Sequence, residues 1–319
     1  MTAPPRIVHR LRIDARADRA ALVAGLRAPR AAIAPKYFYD AAGCALFAAI
    51  CELPEYYPTR TEQAIFAAHR AAIAAAVGDG KQLVDLGAGD CRKAASWFAA
   101  LRPARYLAVD IAAGEIGEAL AALAAMHPGI ELMGIVADFT QGLDVDADLD
   151  HRAATFFYPG SSIGNFSHDA ARAFVASIAR HCATRAGSGL LIGVDMKKDA
   201  DRLVAAYDDA QGVTAAFNRN VLNHVNRIAD ADFDPDAFVH RAIYAPAAGR
   251  IEMHLESARA QVVTIDGAPR AFAAGERIHT EDSYKYAPDE FAGMLRDAGF
   301  ARVQLWQDPA RDFGVFYAS

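Results

Sequence analysis

Two rhythms of apolar and polar positions divide the chain near residue 80. Residues 16–30 carry an alanine-rich helical pattern that breaks near Pro35, and a second helical stretch runs from Ala42 to Glu52 after the aromatic cluster 36–40. Pro54 and Pro58 bracket Glu55-Tyr56-Tyr57, which predicts an ordered loop rather than a helix. Thr59-Arg60-Thr61-Glu62 has the capping-box form and predicts a helix from there to about Val77. Beyond it the texture becomes short aliphatic runs: Gln82–Leu86, Arg105–Asp110, Glu131–Ala137, Ala154–Tyr158 and Leu190–Met196 read as five strands. Helical patterns follow the first (to Leu101), the second (to about Met126) and the fourth (Asp169–His181).

Strands alternating with helices predict βαβ units and a parallel sheet whose carboxyl ends share one edge, where ligands bind. The alternation lapses after Met196. A helical stretch near 199–228, an acidic turn, and the runs Ala237–Tyr244 and Arg250–Ser257 read as an insertion with two or more strands. A helix over 288–298 and an antiparallel pair, 301–306 with 312–318, then resume the sheet. The expected partition is a sheet domain of 61–196 plus 286–319 and a second unit of 1–60 plus 197–285, with a cleft between them as a ligand location.

Composition narrows the functional classes. The 53% hydrophobic and 23% charged fractions are ordinary for a globular chain, and no apolar run reaches the roughly 18 residues of a membrane span. Met1–Arg10 has no apolar core after its basic residues, so a secretory leader is not expected and a cytoplasmic protein is. A net charge of −6 argues against nucleic-acid or anionic-membrane partners. Cys44, Cys51, Cys91 and Cys182 form no C-x-x-C pair and read as buried thiols. The aspartate runs 144/146/148/150 and 230/232/234/236 lack the glycine and terminal glutamate of a calcium loop, and read as solvated turns; no metal is expected.

The sharpest local signal is Leu83-Val84-Asp85-Leu86-Gly87-Ala88-Gly89-Asp90, a strand ending in G-x-G. Gly87 and Gly89 permit a tight turn and close approach of a ligand. Arg92 stands where a dinucleotide fingerprint needs its third glycine, which favours a smaller nucleoside ligand. Asp110 ends the second strand, placed to accept two ribose hydroxyls. Asp138 ends the third and is followed by Phe139, suited to an adenine amine and ring. Together these point to S-adenosylmethionine. A competing motif, Gly160-Ser161-Ser162-Ile163-Gly164, fits the nucleophile elbow G-x-S-x-G. A hydrolase would then use Ser162, Asp195 or Asp199, and His240 or His279. No oxyanion segment of the HGGG type precedes it, and the first strand already carries a nucleoside-type turn.

The segments Tyr37–Phe47, Leu53–Glu62, Gly164–Phe166, Ala205–Asp209, Gly212–Asn220 and Ile278–Ser283 together resemble the histidine-specific Nα-methyltransferases of ergothioneine biosynthesis, over nearly the whole chain. The resemblance implies a Rossmann-like class I methyltransferase sheet, of the α/β class, with an inserted α+β substrate-binding unit. It implies S-adenosylmethionine-dependent trimethylation of L-histidine to hercynine, and it is compatible, as is the net charge, with a monomer. It places the cofactor pocket on Gly87, Lys93, Asp110, Asp138 and Phe139, and the amine and carboxylate contacts on Tyr56, Asn165 and Tyr207, the residues expected to be catalytic. Glu281 and Ser283 become the readers of the imidazole, with Tyr39, Phe47, Thr214 and Met253 lining the pocket. Gly160 matches the glycine before Asn165; Ser161-Ser162 departs from the Gly-Thr of some members, and Asp282 stands between the imidazole readers. A different aromatic amino acid as substrate, or a silent ligand-binding homologue, are the alternatives.

Overall fold

The computed structural model describes residues 5–10 and 15–319, so the first four residues of the stretch read for a leader lie outside the described residues. The chain forms two compact units: Met1–Arg12, Thr61–Met196 and Tyr286–Ser319 make the first, and Ile13–Arg60 with Lys197–Lys285 the second. The sequence reading put all of 1–60 in the second unit. That is corrected by β1 (Arg6–His9), which pairs in parallel with β4 (Glu131–Val136) and so belongs to the sheet.

In the first unit, β2 (Gln82–Leu86), β3 (Arg105–Asp110), β4, β5 (Ala154–Tyr158), β6 (Gly189–Asp195), β12 (Val303–Gln307) and β13 (Phe313–Ala318) join β1 in one sheet. Its order is β1-β4-β3-β2-β5-β6-β13-β12. All neighbours from β1 to β6 pair in parallel; β13 runs antiparallel to both β6 and β12. The parallel strands β2, β5 and β6 are buried along their whole length, as strands covered on both faces must be, and so is the antiparallel β13. The chain leaves β2 toward β3 and β4, then returns to lay β5 and β6 on the other side. The carboxyl ends of β2 and β5 therefore flank the switch point of this doubly wound sheet, where open α/β sheets place ligands.

The helices of this unit are α3 (Tyr57–Val77), counted here from Thr61, α4 (Arg92–Ala95), α5 (Phe98–Leu101), α6 (Ala113–Met126), α7 (His168–Ala183) and α10 (Pro288–Asp297). The capping box proposed at Thr59 is not one. Helix α3 starts at Tyr57, Pro58 is tolerated in its first turn where no intrahelical N–H is needed, and Glu62 points elsewhere. The single helix expected before Leu101 is two short ones, and the first aspartate run is only partly solvated. Asp148 is buried against the Arg10 guanidinium at 2.7 Å, and Asp146 accepts from His181. Of the thiols, Cys91 is fully buried; Cys44, Cys51 and Cys182 are half-buried.

The second unit holds α1 (Ala15–Arg27), α2 (Ala41–Cys51), α8 (Ala200–Ala205) and α9 (Val213–Ala229). With them are an antiparallel sheet of β7 (Phe238–Ala245), β8 (Arg250–Ser257) and β11 (Arg277–Tyr284), ordered β11-β8-β7, and the hairpin β9 (Gln261–Ile265) with β10 (Ala268–Phe272). The expected helix over 199–228 is broken by Gly212 at φ +73°, a left-handed position. Strand β8 alternates half-buried and buried residues without a fault, so Ile251, Met253 and Leu255 face the core with Phe217, Val221 and Leu222 of α9. Asp40 caps α2 by accepting from Gly43 N at 2.8 Å, and it also accepts from Asn220 of α9. That cap seats the aromatic turn before it, with Phe38 stacked on Phe217 at 4.6 Å.

Gly43 has no room for a side chain: a Cβ there would lie 1.7 Å from the Phe38 carbonyl oxygen. Gly43→Ala is therefore expected to force the α2 start off its cap and cost about 3 kcal/mol, read as a lower urea midpoint. An unchanged midpoint would show that the turn relaxes without loss.

Candidate functional site

At the carboxyl end of β2, Gly87 (φ +73°) and Gly89 (φ +50°) turn the chain through backbone conformations that side chains resist. Asp110 fixes the turn. One of its carboxylate oxygens accepts from Gly89 N at 2.9 Å and the other from Ala112 N at 3.0 Å. Each carboxylate oxygen has a further lone pair, so the group retains capacity for two hydroxyl donors. Gly87 leaves open backbone, since a Cβ there would meet only the Phe139 ring, at 3.8 Å. Asp138 caps the short turn Phe139–Gln141 by accepting from Thr140 N at 3.0 Å, and the half-buried Phe139 ring packs edge-on against Tyr158 at 5.7 Å. An acidic group, an open glycine turn and an aromatic face at three neighbouring strand ends suit a ribose, the methionine portion of a sulfonium and an adenine. The residues present fit S-adenosylmethionine. Within β2 itself, Asp85 is wholly buried and accepts from Tyr106 OH at 2.7 Å; burial pushes its carboxyl up to about 7 against that hydrogen bond.

Lys93 was expected at the cofactor; its ammonium lies 2.8 Å from the fully buried Glu62 carboxylate. The other Glu62 oxygen accepts from Gly160 N at 2.7 Å. Glu62 thereby ties α3 to the turn after β5, and the sequence reading missed it by spending it on a helix cap. The elbow motif lies in that turn. Ser161 occupies a left-handed conformation, and its hydroxyl accepts from Asp195 N at 2.9 Å. His240 is no base, because one ring nitrogen accepts from Asn218 and the other donates to the Tyr207 carbonyl, while burial lowers its pKa. His279 is paired with Asp282 at 2.9 Å. Asn165 ends the turn Ser162–Asn165 with an exposed side chain. The cap of α7 is Ser167, which accepts from Ala170 N, so Asn165 is left available to a ligand.

In the second unit the decisive feature is a bulge in β11. His279 pairs with His254, but Glu281 pairs with Met253, so one extra residue, Thr280, sits between them. Without it His279, Glu281 and Ser283 would share one face. With it, His279 and Asp282 join the outer charged face of Arg250, Glu252 and His254, while Thr280, Glu281 and Ser283 turn inward beside Met253. The inward Thr280 is fully satisfied, donating to Asn218 Oδ1 at 2.8 Å or the Met253 carbonyl at 3.0 Å.

Around these inward residues stand the other expected ones. Ser283 Oγ lies 2.7 Å from Tyr207 OH. Tyr56 packs edge-on against Tyr207 and Phe47, each at 6.3 Å, and Phe47 edge-on against Tyr39 at 5.9 Å. Thr214 is buried at the start of α9, where Asp209 caps the helix by accepting from its N–H at 2.7 Å. The structure thus brings together Tyr39, Phe47, Tyr56, Tyr207, Met253, Glu281 and Ser283. It adds one residue that the sequence reading missed, Lys285, fully buried, with Nζ 2.9 Å from Tyr207 OH and 2.8 Å from Ser283 Oγ. The signal was present in the alternation of positions 281, 283 and 285, at the end of β11 and just past it.

Burial pushes the Glu281 carboxyl up to about 7, opposed by the charges of Lys285 and His279. Burial, and next the neighbouring Tyr207, raise the Tyr56 phenol well above its usual value, so it remains a donor at neutral pH. For Glu281 the linkage sign is that of a raised acid. Its stabilising contribution is complete below the ordinary value of 4.5 and is lost as pH rises through about 7. Glu281→Gln, which never ionises, is therefore expected to match the wild type near pH 4.5 and to exceed it at pH 8 by on the order of 2–3 kcal/mol in urea unfolding. Equal stabilities at both pH values would mean that ionising Glu281 costs the empty protein nothing.

Among the described residues no group of three or more His, Cys, Asp or Glu is arranged to hold a metal ion, and no helix is long and apolar enough to cross a membrane. The sequence profile of the histidine-specific, S-adenosylmethionine-dependent methyltransferases matches residues 18–319. The chain is 43% identical over 301 residues to the histidine N-alpha-methyltransferase of Mycolicibacterium smegmatis, covering 92% of each. It is 39% identical over 301 residues, again 92% of each, to the enzyme of the same name from Mycobacterium tuberculosis. A 4-dimethylallyltryptophan N-methyltransferase of Trichophyton verrucosum is 25% identical over 92% of this chain and 90% of its own. With a doubly wound sheet, a glycine turn suited to S-adenosylmethionine and this match over nearly its full length, the chain belongs to the histidine-specific, S-adenosylmethionine-dependent methyltransferase family.

Proposed function

We propose that the protein methylates the α-amino group of L-histidine three times, giving hercynine, a step of ergothioneine biosynthesis. The observation that carries the substrate is the inward face of β11, where a buried carboxyl (Glu281) and a buried hydroxyl (Ser283) stand two positions apart. An imidazole has two ring nitrogens, one donor and one acceptor when neutral. A carboxylate takes the N–H in a charge-assisted bond, and a hydroxyl serves the other nitrogen. An indole offers no second ring nitrogen and would leave the Ser283 hydroxyl unpaired, which disfavours a substrate like that of the Trichophyton verrucosum relative.

When bound, S-adenosylmethionine supplies an electrophilic sulfonium methyl group. The protein's part is then positioning, worth up to about 7–11 kcal/mol for a well-oriented reaction. Gly87, Lys93, Asp110, Asp138 and Phe139 hold the cofactor, and Lys93 also holds Glu62 and through it the Gly160 turn. Asn165 suits the amine and carboxylate because its amide both accepts and donates. Tyr56 and Tyr207 suit an amine that loses a proton before each transfer, since a phenol hydroxyl donates or accepts. Tyr39, Phe47, Thr214 and Met253 line the pocket. We further propose a cytoplasmic monomer without nucleic-acid or membrane partners, a reading the net charge of −6 supports.

The test is mass spectrometry of the purified protein with S-adenosylmethionine and each of the twenty amino acids. A product gaining three methylene units from histidine alone is expected. Methylated tryptophan or tyrosine instead would overturn the role of Glu281, and cofactor binding without any product would favour a silent homologue. Glu281→Ala should raise the KM for histidine roughly 10–100-fold with cofactor Kd unchanged, and Asp110→Ala should raise cofactor Kd roughly tenfold or more. Wild-type histidine kinetics in the first variant, or wild-type cofactor affinity in the second, would sink the corresponding assignment.

A further inference from the structure

Glu62 has no exposed surface, and taking a carboxylate wholly out of water offsets much of what its ion pair contributes to stability. Helix α3 does not need it for docking. Ile65, Phe66, Ile73 and Val77 of the same helix are buried in one apolar cluster with Trp97 and Phe157. The surroundings of the carboxylate are specific instead. Its Oε2 lies 2.8 Å from Lys93 Nζ of α4, the helix that follows the glycine turn, and its Oε1 accepts from Gly160 N at 2.7 Å. It reaches that position because β6 carries a glycine in its interior: a Cβ on Gly193 would lie 2.0 Å from Oε1. A glycine inside a strand weakens it and marks the close approach of another group, which here is Glu62.

The turn that Glu62 grips has little freedom. Gly160 (φ +79°) and Ser161 (φ +61°) are both left-handed, a conformation that costs a residue with a side chain. The Ser161 hydroxyl accepts from Asp195 N of β6 at 2.9 Å. Within the turn the Ser161 carbonyl accepts from Gly164 N at 2.8 Å, and the Ile163 carbonyl from Phe166 N at 3.2 Å. The G-x-S-x-G motif therefore serves as a scaffold, and the side chain it delivers at its end is Asn165. Lys93 is held over the same turn, since a Cβ on Gly160 would lie 3.5 Å from Nζ. One carboxylate thus joins the helix after the cofactor turn to the turn that carries Asn165, and all of these residues lie in the first unit.

We propose that Glu62 is a positioning residue for methyl transfer, which sets the place of the amine relative to the methyl group by joining α4 to the turn from Gly160 to Asn165. The inference rests on the reading above, in which Asn165 holds the amine of histidine and the glycine turn holds the cofactor. In each transfer the lone pair of the deprotonated amine forms the N–C bond while the C–S electron pair returns to sulfur, so the two partners must meet in line. Such a reaction tolerates little error: a misplacement of about 1 Å can cost on the order of 100-fold in rate.

Glu62→Gln keeps the shape of the side chain but offers one oxygen to two donors, so either Lys93 or the Gly160 N–H loses this acceptor. In single turnovers with histidine and S-adenosylmethionine both saturating, the transfer rate is expected to fall about 10–100-fold, while the histidine KM and the cofactor Kd stay within about threefold of wild type. In an Asn165→Ala background the same change should cost less than about threefold, because the group it positions is gone. Equal losses in both backgrounds would show a merely structural carboxylate. A raised cofactor Kd with an intact transfer rate would show one that serves Lys93 alone, and either result overturns the proposal. Should Glu62→Gln not fold, Glu62→Asp supplies the measurement, since it keeps the charge and shortens the side chain. The same loss of transfer rate, again removed by Asn165→Ala, is expected, and its absence overturns the proposal. Wild-type enzyme inactive on histidine would refute the substrate reading and this inference with it, whereas active wild type with an unchanged transfer rate in Glu62→Gln would refute only the role of Glu62.

Discussion

A carboxyl group taken out of water must find donors or give up its charge, and the second unit is organised around one such group. Glu281 is buried because a single extra residue in β11 turns it inward, and the bulge is tolerable because Thr280 finds acceptors on Asn218 and Met253. Asn218 is in turn held by His240 and the His254 carbonyl, so α9, β7, β8 and β11 share one polar network. Half-satisfied networks of this kind are worse than an apolar core, and this one is connected through each of those four elements. The raised carboxyl at its edge is the free-energy cost of a site that waits for a donor of the right shape.

The first unit solves a different problem. Its glycine turns are held by a few buried or strand-end side chains, so the requirement is for a rigid backbone rather than for a tuned carboxyl. Asp110 meets it by accepting from Gly89 N in the turn after β2 and from Ala112 N in the segment after its own strand. Glu62 does the same for the turn after β5, with Lys93 balancing its charge. Both carboxylates act on loops that carry glycines at positive φ, where the chain would otherwise have the most freedom.

Much of this was legible in the sequence for stated physical reasons. Parallel strands buried on both faces appear as unbroken aliphatic runs, so β2, β3, β5 and β6 were readable within a residue or so. The G-x-G turn and Asp110 were readable because sterics restrict which residues can stand there. The strand β1, the hairpin of β9 and β10, and the break at Gly212 were not. Short or half-exposed strands have weak alternation, and a glycine inside a helical pattern does not announce its φ. Glu62 was misread because its partners are distant in sequence, and Asp148 because a buried ion pair with Arg10 looks, locally, like a polar turn. The set Tyr39, Phe47, Tyr56, Tyr207, Glu281 and Ser283 came from resemblance, and no local pattern reports a bulge that reverses the facing of a strand.

Strand β13 has a consequence for how the molecule is made. It completes the sheet by pairing with β6, yet Phe313 and its partner Asp195 are more than a hundred residues apart in sequence. The whole 197–285 segment of the second unit is threaded between them. Closing so long a loop costs entropy before any contact rewards it, and contacts of this span slow folding. Until it closes, β6 is an unpaired edge seven residues long and wholly apolar except for its final aspartate. The inserted segment therefore delays completion of the sheet, and leaves that edge as the place where a half-made chain would aggregate.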